Sequence, residues 1–315
     1  SCHLAAPDRK VYGIHTVLFE FYIVVEMKIR GSLASGFKRA LKAWKGVLIV
    51  WLVSFVLASL FMTPLKSALR SGFGNSMITE RFADGFDLDA FLDLGSSLPS
   101  IMSSMASGFL LVLLISVILN AFLTGGLFDA LSGEKLKFST PGFFGAGARN
   151  FWSFLMITLT MSFMLIFVSG IVMGVPTGIA SGSESITERT TFVIQMIALC
   201  IVILLSPVFI LAADFARAGK ASDPSMSGIN AIGFGFSRTF SGFWSAYPMM
   251  LLLIVCQLLP AALAFYLIPA WRPVTGKGVS LMLIVTQFIL FIRFFLKAWR
   301  YGSVTALLDL NLKKR

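Results

Sequence analysis

Residues 191–214 read TFVIQMIALCIVILLSPVFILAAD, a predominantly apolar run with no charged side chain until its last position, Asp214. The hydrocarbon core of a bilayer is roughly 30 Å thick, and a helix of about 20 apolar residues crosses it. Backbone amides find no water there, so a spanning segment must be helical or belong to a closed barrel. Because the run is continuous rather than alternating, it predicts a membrane-spanning helix.

Five further runs of the same kind occur along the chain. Together the six predicted spans are residues 46–63, 101–122, 152–175, 191–214, 243–267 and 279–297. Hydrophobic residues make up 57% of the chain and charged residues 13%, which is about half the charged fraction of a soluble domain. We therefore expect an all-α, polytopic integral membrane protein whose six-span domain covers residues 27–315.

Residues 1–26 differ in character from the rest of the chain. They lack the basic start, apolar core and cleavage site of a signal peptide, and the apolar stretch 17–25 is too short to span. Met27 opens the basic sequence Met27-Lys-Ile-Arg, which is typical of a cytoplasmic N-terminus. We interpret residues 1–26 as an extension that is not native, the alternative being a tail at the membrane surface. Under either interpretation we expect no functional role for residues 1–26.

Basic residues concentrate in alternate connections between the predicted spans. They flank both chain ends and lie between spans two and three and between spans four and five. The opposite side is poorer in them and holds Lys66, Arg70, Arg81, Arg189, Arg272 and Lys277. Such asymmetry predicts that the side rich in basic residues faces the cytoplasm. We expect a bacterial inner-membrane protein with both termini in the cytoplasm, anionic lipid headgroups as partners, and no nucleic-acid partner despite the net charge of +11.

Similar segments precede spans one, three and five. These approach segments are residues 36–44 (GFKRALKAW), 143–152 (FFGAGARNFW) and 234–244 (FGFSRTFSGFW). The even spans end in similar exit segments, which are residues 126–130 (GLFDA), 213–218 (ADFARA) and 299–303 (WRYGS). Because the odd spans all run outward, the pattern predicts three tandem hairpins, each preceded by a short interfacial amphipathic segment.

The first approach segment is the clearest interfacial candidate. Apolar side chains recur at helical spacing from Leu33 to Trp44, and basic side chains fall elsewhere. It either anchors the first span or contacts a specific lipid or partner. The predicted interfacial anchors of the chain are Trp44, Trp152, Trp244, Lys38 and Arg39.

The approach segments followed by helical hairpins resemble several bacterial six-span membrane families. These include the membrane region attached to some glycerophosphodiester phosphodiesterases. The resemblance covers residues 27–312 and implies a six-span helical bundle. The soluble catalytic domain of that family has no counterpart in this sequence, so the resemblance transfers no functional residue.

Polar side chains inside the predicted spans are the candidates for a lipid or substrate path. They are Asn120, Asp214, Arg293, Gln257 and Gln287. The amides, together with Gln195, are explained equally by hydrogen bonds between helices, and transport would require them to converge on one cavity. Arg293 can extend toward the cytoplasmic interface, pair with Asp214, or bind a ligand.

Two glycines of the third span are candidates for helix packing. Gly170 and Gly174 are four residues apart, a spacing of small residues that lets helices approach closely, and Pro176 interrupts the repeat beyond them. We expect them to pack within the monomer, the alternative being a dimer contact.

Catalytic signatures are absent from the sequence. It contains no His-Glu-x-x-His, no Gly-x-Ser-x-Gly, no Walker loop and no Cys-x-x-Cys. The acidic segment 81–93 lacks the glutamate that would close a calcium loop. We expect no catalytic residue, metal or cofactor, and a noncatalytic role as an accessory or scaffold subunit with a membrane-protein partner, or as a factor acting on membrane lipids. The alternatives are a transporter or flippase of a lipid-like or small amphiphilic substrate, and an intramembrane enzyme.

Overall fold

The computed structural model describes residues 9–73, 97–132, 138–182, 187–271 and 275–312. In these ranges the chain is all-helical and contains no strand, which confirms the predicted all-α class. The eight helices are α1 (Arg9–Lys42), α2 (Trp44–Phe73), α3 (Ser97–Leu131), α4 (Thr140–Ser181), α5 (Glu188–Ser222), α6 (Gly228–Ser241), α7 (Phe243–Ala270) and α8 (Gly276–Leu312). The acidic segment 81–93 lies outside the described residues.

Five of the described helices are long and apolar enough to cross a bilayer. They are α3, α4, α5, α7 and α8. The predicted first span lies in α2, which meets this standard only together with part of α1, and the two are bent by 68° between Lys42 and Trp44. The architecture is consistent with a multi-pass membrane protein of five spans, or six if the bent pair counts as one.

The buried core lies at one end of the bundle. In α5 residues 211–220 are buried without interruption, and in α8 residues 301–308 are. The remaining length of the long helices exposes large apolar side chains, such as Phe163 at 68% and Phe265 at 83%. An apolar surface of this extent is unusual on a soluble monomer, whereas a bilayer would cover it with lipid. Specific packing is therefore concentrated where the exit segments lie.

Each approach segment packs against an exit segment through a glycine contact. The first contacts the last exit segment, the second the first, and the third the second, so the three contacts close into a ring. A methyl group at Gly302 would lie 2.7 Å from the Gly36 oxygen, one at Gly126 2.6 Å from the Phe143 oxygen, and one at Gly235 2.9 Å from the Ala216 methyl carbon. Only a residue without a side chain allows backbones to approach this closely.

The three approach segments join their spans in different ways. The first ends at the break between α1 and α2, and the third breaks at Gly242, whose N–H donates to the Arg238 oxygen at 3.2 Å. Residues 143–152 instead continue without interruption into the rest of α4. The second approach segment is therefore not a separate helix, and the interfacial position of all three segments stays a prediction.

The predicted interfacial anchors separate into two groups. Trp44, Trp152, Trp244 and Lys38 are exposed, as side chains at a lipid interface would be. Arg39 instead forms an ion pair of 2.7 Å between Nη2 and Asp309 Oδ2 in α8. Arg39 therefore joins α1 to α8 within the protein, and its role as an interfacial anchor stays a prediction.

Gly170 and Gly174 do not pack against another helix of the described structure. A methyl group at either position would meet no heavy atom within 4 Å. They line an open apolar groove of about 540 Å³ on the surface of α4. Within the described ranges these glycines meet no helix, and both packing inside the monomer and a dimer contact stay predictions.

Candidate functional site

A buried carboxylate, Asp214 of α5, is held by two arginines. Arg217, one turn further along the same helix, places Nη1 3.0 Å from Asp214 Oδ1. Arg300 of α8 places Nε 2.9 Å from Asp214 Oδ2. The two groups form an ion pair at this distance, but the atoms are not aligned for a hydrogen bond. The Asp214 side chain is completely buried, so the pair joins α5 and α8 in a region of low dielectric constant.

Uncharged side chains from three other helices complete the network. Arg217 Nη2 donates to Thr158 Oγ1 at 3.1 Å, Lys297 Nζ donates to Asn120 Oδ1 at 2.9 Å, and Arg300 Nη1 donates to Gln257 Oε1 at 3.4 Å. Helices α3, α4, α5, α7 and α8 therefore all contribute to one group of contacts, which we call the cationic cluster. Its charged members are Asp214, Arg217, Lys297 and Arg300.

The ring of Tyr301 lies against the cationic cluster. Its centroid is 5.0 Å from Arg300 Cζ and 5.8 Å from Lys297 Nζ, distances at which a cation is attracted to an aromatic face. On the other side the ring packs on Phe128, with centroids 4.7 Å apart. Tyr301 is fully buried and connects the cluster to the apolar core.

Positive charge exceeds negative charge in the cationic cluster. Arg217, Lys297 and Arg300 supply three cations, and Asp214 is the one carboxylate in the described contacts of the cluster. Both arginines share this carboxylate, whereas the described partners of Lys297 are the Asn120 oxygen and the Tyr301 ring. Arg217 Nε is buried and has no hydrogen-bond partner among the described residues. Unbalanced charge of this kind is costly away from water.

Two cavities meet at the cationic cluster. One of about 260 Å³ is lined by the three cations and Tyr301, and the other, of about 500 Å³, extends along the apolar faces of α2 and α3. The apolar lining of the larger cavity includes Val50, Val53, Leu57, Val112, Leu113, Val117 and Phe294. Asn120, Thr158 and Lys297 line both cavities, so a cavity that holds three cations beside apolar side chains such as Leu165 and Phe209 adjoins a mostly apolar one.

The structure brings three of the predicted path residues together. Asn120, Asp214 and Gln257 belong to the network around the cluster. Gln287 lies elsewhere on α8, and its buried Oε1 has no hydrogen-bond partner in the described part of the chain. Gln195 lines neither of the two cavities. Only some of the polar side chains predicted to line a substrate path therefore meet at one place.

The predicted Asp214–Arg293 pair is wrong. Asp214 contacts Arg300, about two helical turns further along α8, and Arg293 is exposed. Arg300 reaches the buried carboxylate because α5 and α8 pack closely at their ends. The exposure of Arg293 agrees with the alternative in which its head extends toward the interface.

Sequence reasoning missed the cations of the cluster. It treated Arg217, Lys297 and Arg300 as topology charges because they follow the apolar runs. The signal that could have found them is the spacing of Asp214 and Arg217, which puts opposite charges on one helical face within an exit segment. Nothing in the sequence shows that the exit segment of α8 faces the same charges.

The described residues contain no group of three or more His, Cys, Asp and Glu side chains that could hold a metal ion. Comparison with protein-family models, with curated proteins and with solved structures finds no match for this chain. The resemblance to six-span families therefore stays a prediction. Function has to be inferred from the chemistry of the site.

Proposed function

We propose that this chain is a noncatalytic integral membrane protein that binds a membrane lipid or a similar anionic amphiphile. The observation that carries the proposal is the junction of the two cavities at Asn120, Thr158 and Lys297. An amphiphile has a charged head and an apolar chain, and the two chambers match these two parts. A surrounding bilayer would supply such a ligand at high local concentration.

The chemistry of the cluster favours an anionic head. Guanidinium groups form forked hydrogen bonds with phosphate and carboxylate oxygens, and the lysine ammonium adds a compact charge. Partial burial strengthens these contacts because fewer waters compete for them. The chain of the amphiphile would lie against the valines and leucines of α2 and α3, where it replaces empty space with van der Waals contact.

The proposal includes the topology predicted from the sequence. In it, six spans cross a bacterial inner membrane, and both termini and the cationic cluster lie on the cytoplasmic side. The concentration of basic residues in the connections on that side supports this orientation. The exposed tryptophans at the approach segments support an interface at the same level.

The proposal that the protein is noncatalytic rests on Asp214, the carboxylate of the cationic cluster, whose oxygens are already in contact with two arginines. General acid–base chemistry needs a group that is free to exchange a proton with the substrate. Asp214 is already shared by two guanidinium groups. Within the described contacts of the cluster no histidine or second carboxylate is available to act with it.

Native mass spectrometry of the full chain tests the proposal. The protein would be purified in a mild detergent, and the lipids retained on it identified and counted. We expect a bound lipid in the original chain and its loss in Lys297→Met, which removes the cation common to both cavities. Arg293→Met is the matched control, because it removes an exposed cation from the same helix. Equal retention by all three proteins would contradict the proposal.

The same cavities support a second candidate, a transporter or flippase of a lipid-like substrate. Asn120 and Gln257, two of the amides expected on a path, do contact cations of the cluster. Reconstitution in vesicles with fluorescent lipids on one leaflet separates binding from transfer, since only a flippase moves the label across. A stoichiometric membrane protein that co-purifies with the chain would instead favour an accessory or scaffold subunit.

A further inference from the structure

We propose that the headgroup bound by the cationic cluster is a dianion, namely a phosphate monoester carried on an apolar chain. This inference rests on the proposed function, since it names the class of amphiphile that the same site would accept. It is carried by the charge balance of the cluster, the burial of Asp214 and Arg217, and the position of Lys297, which has no acidic partner among the described residues.

The charges of the cluster leave an excess of two positive units. Asp214 neutralises one of the three cations, and both arginines already use its oxygens. A ligand with one negative charge, such as a phosphodiester, would leave one cation of the cluster unbalanced. A zwitterionic head would leave both. A phosphate monoester, which carries about 1.5 to 2 negative charges at pH 7, closes the balance.

The unused donors of the cluster point to the same class. Arg217 Nε is buried without a hydrogen-bond partner among the described residues, although the side chain lines the smaller cavity. The Lys297 ammonium has three hydrogens, and the hydrogen bond described for it goes to the neutral oxygen of Asn120. The Arg217 and Lys297 side chains line the same cavity of about 260 Å³, so a tetrahedral group bound there would lie near both cations. A monoester offers three terminal oxygens for such contacts.

The pH dependence of binding can distinguish a phosphate monoester from a phosphodiester at this cavity. The titratable groups that line the cavity are Arg217 from α5 and Lys297, Arg300 and Tyr301 from α8, and Asp214 lies behind them against the two arginines. The polar residues of α3, α4 and α7 in the network are Asn120, Thr158 and Gln257, which are uncharged. The second ionisation of a phosphate monoester occurs near pH 6, whereas a phosphodiester does not titrate in this range. Affinity for a monoester should therefore fall as the pH decreases through about 6.

Direct binding measurements on the full chain in detergent micelles test the inference. The probes are dioleoyl phosphatidic acid as a monoester, dioleoyl phosphatidylglycerol as a phosphodiester, and dioleoyl phosphatidylcholine as a zwitterion. We expect the monoester to bind about tenfold more tightly than the phosphodiester at pH 7.5, and this advantage to be lost at pH 5. Farnesyl monophosphate in a parallel titration distinguishes a single-chain source of the same headgroup from a two-chain lipid.

Asn120→Asp is the sharpest variant for this test. It is nearly isosteric and would set a carboxylate against the Lys297 ammonium, reducing the excess charge without removing a side chain. We expect about tenfold weaker binding of phosphatidic acid and a smaller preference over phosphatidylglycerol. Lys297→Met should have the same effect on the preference, which keeps the test informative if one variant does not fold.

The outcomes separate this inference from the function on which it rests. Equal affinities for phosphatidic acid and phosphatidylglycerol at both pH values would overturn the dianion and leave lipid binding intact. A preference for the monoester that persists unchanged in both variants would also overturn it, because the cluster would then not be the source. Failure of every probe to bind would overturn the proposed function itself.

Discussion

Asp214 and Arg300 form an ion pair of 2.9 Å that joins the end of α5 to the end of α8, and the carboxylate is completely buried. The same carboxylate contacts Arg217, so one acid holds two guanidinium groups at the packed end of the bundle. This arrangement has two consequences. It makes the stability of the helical ends depend on a single side chain, and it leaves Lys297 as a cation whose described partners are uncharged.

Asp214→Asn should destabilise the protein strongly. The amide keeps the shape of the side chain but leaves two buried guanidinium groups without their counter-charge, a loss that costs about 3–5 kcal/mol in comparable pairs. Thermal unfolding in detergent, followed by loss of the helical circular dichroism signal, measures the change. A melting temperature equal to that of the original chain would contradict the assigned role.

A double-mutant cycle identifies the partner of Asp214. Asp214→Asn combined with Arg300→Met should cost less than the sum of the single changes, because the second change removes a charge that the first left unpaired. Asp214→Asn combined with Arg293→Met should be additive, since Arg293 is exposed and does not contact the carboxylate. Coupling to Arg293 instead of Arg300 would show that the pairing between α5 and α8 is wrong.

Gly36→Ala should weaken the contact between α1 and α8. The Gly36 backbone lies against Gly302 and Ser303, and an added methyl group would overlap the Ser303 backbone. Overpacking of this kind costs about 1–3 kcal/mol. Gly31→Ala is the matched control on the same helix, because a methyl group there would meet no heavy atom within 4 Å. The control should be neutral or slightly stabilising, by up to about 1 kcal/mol from helix propensity. Equal effects at the two glycines would refute the close crossing.

Gly174→Ala should leave the monomer as stable as before or slightly more stable. The position faces open space in the described structure, so the gain in helix propensity of up to about 1 kcal/mol is not opposed by a clash. Gly147→Ala is the contrasting change, because its methyl group would lie 2.8 Å from the Phe122 oxygen. If Gly174→Ala lowers the melting temperature or dissociates a dimer in size-exclusion chromatography, the groove on α4 is a packing surface.

Accessibility labelling checks the orientation in the membrane. In a chain whose native cysteines are replaced, Lys137→Cys introduces a thiol between predicted spans two and three, and Ser185→Cys introduces one between spans three and four. A membrane-impermeant maleimide applied to intact cells should modify the second and not the first. Labelling of Lys137→Cys from outside would reverse the proposed topology, and with it the cytoplasmic position of the cationic cluster.

Sequence and structure agree on features that depend on local composition. The apolar runs of the sequence are long helices in the structure. The hydropathy of a segment is a local property, so a span can be predicted without knowing which segments lie beside it. The approach and exit segments were visible as repeated aromatic, basic and small residues. Their mutual contact was not, since the first approach segment packs on the last exit segment at the far end of the chain.

The glycines illustrate the limit of sequence patterns. Gly170 and Gly174 have the spacing that is typical of helix packing, yet a methyl group at either would meet no heavy atom of the described residues within 4 Å. Gly36 and Gly302 also have small residues four positions away, Ser32 and Ala40 in α1 and Ala298 and Ala306 in α8, and these two glycines do lie at a close crossing of α1 and α8. A pattern of small residues shows that close approach is sterically allowed. It does not show which face of the helix has a neighbour.

The amino-acid sequence alone indicated the all-α class and the long apolar helices, since a continuous apolar run satisfies its backbone amides internally as a helix and is long enough to cross a bilayer. It also indicated Asp214 and Asn120 as unusual polar residues within those runs. Only the tertiary structure decided which charges meet. The pairing of Asp214 with Arg300 requires α5 and α8 to pack at a particular rotation and depth. That arrangement depends on the combined contacts of the whole bundle, which no single segment encodes.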